Sequence, residues 1–133
     1  MNRKYRLRKL DYSYLDTWIT RSKELKKLKI TTYTEYLKSS IWKEIKDKAQ
    51  TRPHYQKCFL CGSFENIELH HRRYKFLHLS ILRNIIPLCE NHHEQVHSLA
   101  KTKQMSVGRA TGKIIKRWKK EGNKLSWTNK ENL

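Results

Sequence analysis

The sequence predicts an α+β fold in which helices flank a short central β-structure rich in cysteine and histidine. Three observations carry that expectation. Apolar residues recur at helical spacing on both sides of the centre: Leu15, Trp18 and Ile19; Ile41, Trp42 and Ile45; then Ile114, Ile115 and Trp118. Between them, residues 56–100 hold all three Cys and six of the seven His, in short apolar pieces broken by Gly62. The charge follows the same division. Of 133 residues, 30 are Lys or Arg and 12 are Asp or Glu, a net charge of +18. Residues 1–55 carry +9, residues 56–100 only +1, and residues 101–133 +8.

Taken in order, Tyr12 to Ile30 reads as a first helix, with Leu25 and Leu28 continuing its apolar positions and Lys23, Lys26, Lys27 and Lys29 snorkelling outward. Thr31 or Thr32 is suited to cap a second helical stretch through Tyr33, Tyr36 and Leu37. Ser39 or Ser40 is suited to cap a third, in which Ile41, Trp42 and Ile45 form an apolar stripe. Pro53 ends this region. Ile67–Tyr74 alternates enough to be a strand, and Glu90–Ala100 reads as a helix. A last basic helix spans Gly112–Glu121, closed by Gly122, and the polar tail from Asn123 is expected to fray. Trp18, Trp42 and Trp118 sit at helical spacing and are read as core. The organisation expected is a basic N-terminal helical extension over 1–35, a central domain over 36–103, and a basic C-terminal helix and tail over 104–133.

Composition excludes several classes. With 37% hydrophobic residues and a mean hydropathy of −0.91, nothing approaches the roughly 20 apolar residues that span a bilayer. The basic start, Met1–Lys9, runs into Asp11 and Asp16 and lacks the apolar core of a secretory signal. An intracellular, cytoplasmic protein is therefore expected. A pI near 10.0 calls for a polyanionic partner, and charge alone does not separate nucleic acid from anionic lipid. Four Trp and seven Tyr argue against a disordered basic tail.

Three Cys in a chain without an export signal point away from disulfides. Cys58-Phe-Leu-Cys61 is a Cys-x-x-Cys knuckle, and the following Gly62 suits the tight turn beneath a metal. Cys89-Glu-Asn-His92 supplies a Cys-x-x-His pair. Together Cys58, Cys61, Cys89 and His92 form a four-ligand set for zinc with no place left for substrate, which makes the site structural. Free energy of binding to such a set, about 10 kcal/mol or more, becomes folding free energy.

Zinc leaves His70, His71, His93 and His97 unexplained. On a strand, adjacent His70 and His71 point to opposite faces, so both cannot be core. His93 and His97 stand four apart on a helix and share a face, the arrangement of a divalent-metal pair. Arg72 and Arg73 directly follow His71 and suit a phosphate. His54 and His78 are expected to be exposed or weakly packed.

The run Cys58-Phe-Leu-Cys61-Gly62, then Ile67-Glu-Leu-His-His-Arg-Arg-Tyr74, then Asn84-Ile-Ile-Pro-Leu-Cys-Glu-Asn-His-His93 resembles the HNH nucleases with a ββα-metal core. The preceding Tyr36-Leu-Lys-Ser-Ser-Ile-Trp42 is similar to the helical lead-in common in that family, so the likeness covers about residues 36–97. The resemblance implies a metal-dependent endonuclease that cleaves DNA, double-stranded in the first instance, to 5′-phosphate and 3′-hydroxyl ends. By the same resemblance His71 is the general base, Asn84 holds the hairpin loop so that His71 stays oriented, and His93 ligates the catalytic divalent metal (Mg²⁺, Mn²⁺, Ni²⁺ or Zn²⁺). His70 is the second ligand, where many members carry Asp, and His97 completes the set. Elementary chemistry agrees, since a neutral imidazole with an ordinary pKa near about 6.5 takes a proton from water at neutral pH. The loop over 72–83 lacks the Gly-rich or Pro-containing stretch of many members.

Two other readings compete. A zinc-stabilised nucleic-acid-binding module without catalysis would keep the fold, but binding alone needs none of His71, Asn84 and His93. A basic membrane-surface protein would explain the charge and leave both metal-binding sets without a purpose.

Overall fold

The computed structural model describes residues 13–75, 77 and 82–126. Over them the chain is mixed α+β: helices α1 (Ser13–Lys27), α2 (Tyr33–Leu37) and α3 (Ser40–Gln50), strands β1 (Ile67–His71) and β2 (Ile85–Cys89), then helices α4 (Glu90–Lys103) and α5 (Val107–Lys120). Among the described residues, no helix is long and apolar enough to cross a membrane.

Local chemistry sets most of the boundaries. Thr32 caps α2 by accepting the Glu35 amide at 3.1 Å, and Ser39 caps α3 by accepting that of Trp42 at 3.4 Å. Pro53 opens a 3₁₀ turn over Pro53–Gln56, in which Tyr55 is buried and donates to the Leu82 carbonyl at 3.0 Å. Three helices share one kind of ending. After α1 the Lys29 amide bonds Lys26 O and the Ile30 amide bonds Leu25 O, with Lys29 at φ +58°. Gln104 does the same after α4 at φ +50°, and Gly122 after α5 at φ +89°. This is the paired-bond, left-handed close of a helix, and only one of the three uses glycine.

Strands β1 and β2 pair antiparallel, with Ile67 opposite Cys89, His70 opposite Ile86 and His71 opposite Ile85. Glu68 and His70 therefore share one face, while Leu69 and His71 share the other. Pro87 fits because this two-stranded sheet is all edge, and its carbonyl accepts the Phe59 amide at 2.7 Å. The core forms where α2, α3, the Cys58–Cys61 knuckle, the sheet, α4 and α5 meet, around Tyr36, Ile45, Tyr55, Leu60, Ile85, Leu88, Val96 and Ala110.

Three expectations need correction. Trp18 is not core: it is 46% exposed, beside exposed Leu15 and Ile19, because only the C-terminal part of α1, at Leu25 and Leu28, reaches the core. Trp42 is buried as expected, and Trp118 is half-buried against the core. The last helix begins at Val107, one turn and more ahead of Gly112, because Ser106 caps it by accepting the Arg109 amide at 3.1 Å. Gly108 lies inside that helix for a steric reason, since a Cβ there would stand 2.8 Å from the Arg72 carbonyl oxygen. Finally, the tail does not fray over residues 123–126, and residues 127–133 lie outside the described residues. Leu125 packs on the core, and Ser126 bonds the carbonyls of Cys58 and Phe59.

Candidate metal centres

The first centre joins the knuckle to the β2–α4 junction. Cys58 takes the Ser63 carbonyl through its amide at 2.8 Å, and Gly62, at φ +74°, returns its amide to Cys58 O at 2.9 Å. That tight loop turns Cys58 and Cys61 toward Cys89, the residue preceding α4, and toward His92 in its first turn. The ligand atoms define a small polyhedron: Cys58 Sγ to His92 Nδ1 is 3.6 Å, Cys89 Sγ to His92 Nδ1 is 3.2 Å, and Cys61 Sγ to Cys89 Sγ is 3.9 Å. Tetrahedral zinc, with bonds of about 2.3 Å to sulfur and 2.0 Å to nitrogen, needs edges of about 3.5–3.8 Å. The set fits, with His92 binding through Nδ1.

Electrostatics favours a cation there. Burial raises the Cys58 thiol, but the amides of Cys89, Cys61 and Leu60 outweigh it and hold the group below its ordinary value. Burial pushes Cys89 up, opposed by the His92 amide and reinforced by the Cys58 and Cys61 sulfurs. One thiolate thus suppresses its neighbour, a conflict that a divalent ion removes. Burial also lowers His92, keeping its ring neutral as a ligand must be. The edge of Trp118 braces this ring, with centroids 5.2 Å apart at 80°.

The second centre gathers His70, His93 and His97, whose ligand atoms all lie within 4.8 Å of one another. His93 and His97 project from successive turns of α4, with Nε2 atoms 3.0 Å apart. Two nitrogens bound at right angles to one ion, each at about 2.1 Å, stand about 3.0 Å apart. His93 Nδ1 donates to the Glu68 carboxylate, which leaves Nε2 as its lone-pair nitrogen. His70 is 1% exposed, with ring centroids 5.1 Å from His93 and 5.3 Å from His97. Burial, then the two neighbouring rings, hold it well below the usual histidine range. Burial and His93 lower His97 as well. Three imidazoles converging in this way make a candidate ligand set for a transition-metal or other divalent ion.

His71 lies apart from this set, on the other strand face, in an aromatic box; contrary to expectation both adjacent histidines are buried, because Thr111 covers one face of the strand and Trp42 and Tyr74 the other. Trp42 covers His71 at 4.8 Å and Tyr74 stacks at 5.8 Å, while its Nδ1 meets the Tyr33 hydroxyl at 2.8 Å. Burial lowers the His71 pKa to about 4, below the ordinary histidine value expected for it, so the ring is neutral at pH 7 and a weaker base than the sequence implies. Burial likewise holds the Tyr33 phenol well above its ordinary value, so its proton stays on. Asn84 closes the loop beside it: its backbone carbonyl accepts the Arg72 amide at 2.8 Å, and its side-chain Nδ2 donates to Lys75 O at 3.4 Å.

Arg72 is half-buried and Arg73 exposed, and both line a pocket of about 400 Å³ together with Lys75, Arg109, Thr17 and Thr20. Burial, then the charge of Arg73, lowers the Arg72 pKa, so an anion is favoured at this point. His54 is half-buried against Tyr55, and His78 lies outside the described residues.

Three contributors escaped the sequence reading: Glu68, Tyr33 and Thr111, the last bonded to His70. Glu68 precedes His70 by two on a strand and so shares its face, a signal that was available. Thr111 is the polar interruption in an otherwise apolar face of Val107, Ala110 and Ile114. Nothing local marks Tyr33. Comparison with protein-family models, with curated proteins and with solved structures finds no match to this chain.

Proposed function

We propose that this chain is a metal-dependent endonuclease of the HNH type, with a ββα-metal core, acting on double-stranded DNA. One observation carries the reading: a three-histidine cluster stands beside a fourth imidazole, adjacent in sequence, that is held off the cluster and oriented by its own partners. A binding module has no use for that division; hydrolysis needs both halves. The order β1, β2, α4 supports the same core, since His70 comes from the first strand and His93 and His97 from the helix.

In the reaction proposed, the oxygen of a water attacks the phosphorus and gives its proton to His71 Nε2. For that nitrogen to be the free one, Nδ1 must carry hydrogen and donate it to Tyr33 Oη. The imidazolium so formed gains from the ring faces of Trp42 and Tyr74. Asn84 holds the loop ends together, which keeps His71 against its box. A divalent ion, held by His70, His93 and His97 when bound, supplies the positive charge that stabilises the phosphate oxygens as they gain charge. Arg72 and Arg73 bind the scissile or neighbouring phosphate in the cationic pocket. The P–O3′ bond breaks, and the 3′-oxygen takes a proton from solvent, leaving 5′-phosphate and 3′-hydroxyl ends.

The second reading is a nucleic-acid-binding module without catalysis, favoured by the depth of His71, which is only 5% exposed. Supercoiled plasmid with Mg²⁺, Mn²⁺ or Ni²⁺ separates the two. The nuclease relaxes or linearises it, and His71→Ala does not. Binding by wild type with no cleavage under any metal would favour the module.

A further inference from the structure

The C-terminal helix α5 has a basic outer face, and on charge alone it is an arm for phosphates. Its inner face meets both candidate centres. Thr111, 1% exposed, lies against His70, with Oγ1 2.9 Å from Nε2. Two turns later, Trp118 meets the ring of His92. One turn before Thr111, Gly108 allows the helix to approach the backbone just after His71, where any Cβ would collide with Arg72 O. The helix is thus keyed at three levels along one face.

We infer that Thr111 is a positioning residue for the second metal centre, fixing His70 as the tautomer that offers Nδ1 to the ion. The inference rests on the reading that His70, His93 and His97 bind a divalent cation. Thr111 Oγ1 is also 2.7 Å from the Val107 carbonyl. Two oxygens that close repel unless a hydrogen lies between them, and the carbonyl has none to give. Thr111 therefore spends its single hydroxyl proton on Val107, and a lone pair faces His70. His70 must then donate from Nε2. A neutral imidazole carries one N–H, so Nδ1 is left bare. The ring is buried between Thr111 and the other two histidines, so it cannot turn over without breaking that bond. Glu68 fixes His93 in the opposite sense, leaving Nε2 bare, so the two ligands are set by two different outer partners.

The consequence is that α5 is part of the metal centre and not an appended arm. The test uses the full chain with its zinc retained and Ni²⁺ as the probe, titrated calorimetrically into wild type, Thr111→Val, Thr111→Ser and His70→Ala. Thr111→Val keeps the shape and removes the hydroxyl, and Ni²⁺ affinity should fall about 10–100-fold. Thr111→Ser keeps the hydroxyl and should stay close to wild type. Histidine ¹⁵N resonances of the ion-free wild type should show His70 protonated at Nε2, a measurement that needs no variant to fold. Equal Ni²⁺ affinity in wild type and Thr111→Val, or a His70 protonated at Nδ1, would overturn the inference. Wild type that binds no Ni²⁺, like His70→Ala, would instead overturn the metal reading beneath it.

Discussion

Extracting the ion from the Cys58, Cys61, Cys89 and His92 set should unfold the protein. The candidate ligands lie on two segments some 30 residues apart, and an ion bound by them would tie the knuckle to the start of α4. Without it, the Cys58 and Cys89 sulfurs repel as they ionise, and the remaining local sheet is two strands of five residues. A two-stranded sheet of that size is marginal by itself. Binding to such a set is worth about 10–16 kcal/mol, while a whole domain is stable by only about 5–15 kcal/mol. Loss of the ion therefore removes about as much free energy as the fold possesses. The assay is thermal and urea unfolding followed by circular dichroism, with zinc content measured on the same samples, before and after a strong chelator. Cys89→Ala should reproduce the chelated state, and restored zinc should refold the wild type only. Coincident unfolding curves for the zinc-loaded and fully stripped protein would refute the reasoning.

Further outcomes follow from the same geometry. Tyr33→Phe removes the partner of His71 Nδ1 and should lower kcat on the order of tenfold with little change in KM; an unchanged kcat would show that Trp42 and Tyr74 alone orient the ring. Replacing Lys113, Lys116 and Lys120 by Ala, on the exposed side of α5, should make the salt dependence of DNA affinity shallower by about 0.9 in log–log slope for each phosphate that is no longer neutralised. An unchanged slope would place phosphate binding elsewhere on the molecule. Lys29→Gly should raise stability by about 0.5–1 kcal/mol, because Lys29 sits at φ +58° where a side chain is strained; destabilisation measured by urea melts would count against this.

Much of the candidate site could be read from the sequence because its candidate ligands come in short, spaced pairs. Cys58 with Cys61, Cys89 with His92, and His93 with His97 are local arrangements, and local geometry determines which way each points. The caps of α2 and α3 were legible for the same reason, since Thr32 and Ser39 act on amides three residues ahead. What escaped depends on partners distant in sequence. Tyr33 reaches His71 across 38 positions and Thr111 reaches His70 across 41, and no periodicity encodes either. Helix ends misled where Lys29 and Gln104 take the left-handed turn usually given to glycine, and where Gly108 sits inside a helix to make room for Arg72 O. Charge misled in one respect: α5 looked like a separate arm because its outer face is basic, while its inner face lies against both centres.

The central claim is that binding and cutting belong to different residues of one site. It is tested most directly by one labelled DNA duplex, on which affinity is measured by anisotropy and cleavage by single turnover with added divalent metal. Wild type should bind and cut to 5′-phosphate ends, and His71→Ala should bind with nearly the same affinity and leave the strands intact. Cleavage by His71→Ala at the wild-type rate would contradict the account, as would a wild type that binds the duplex and never cuts it.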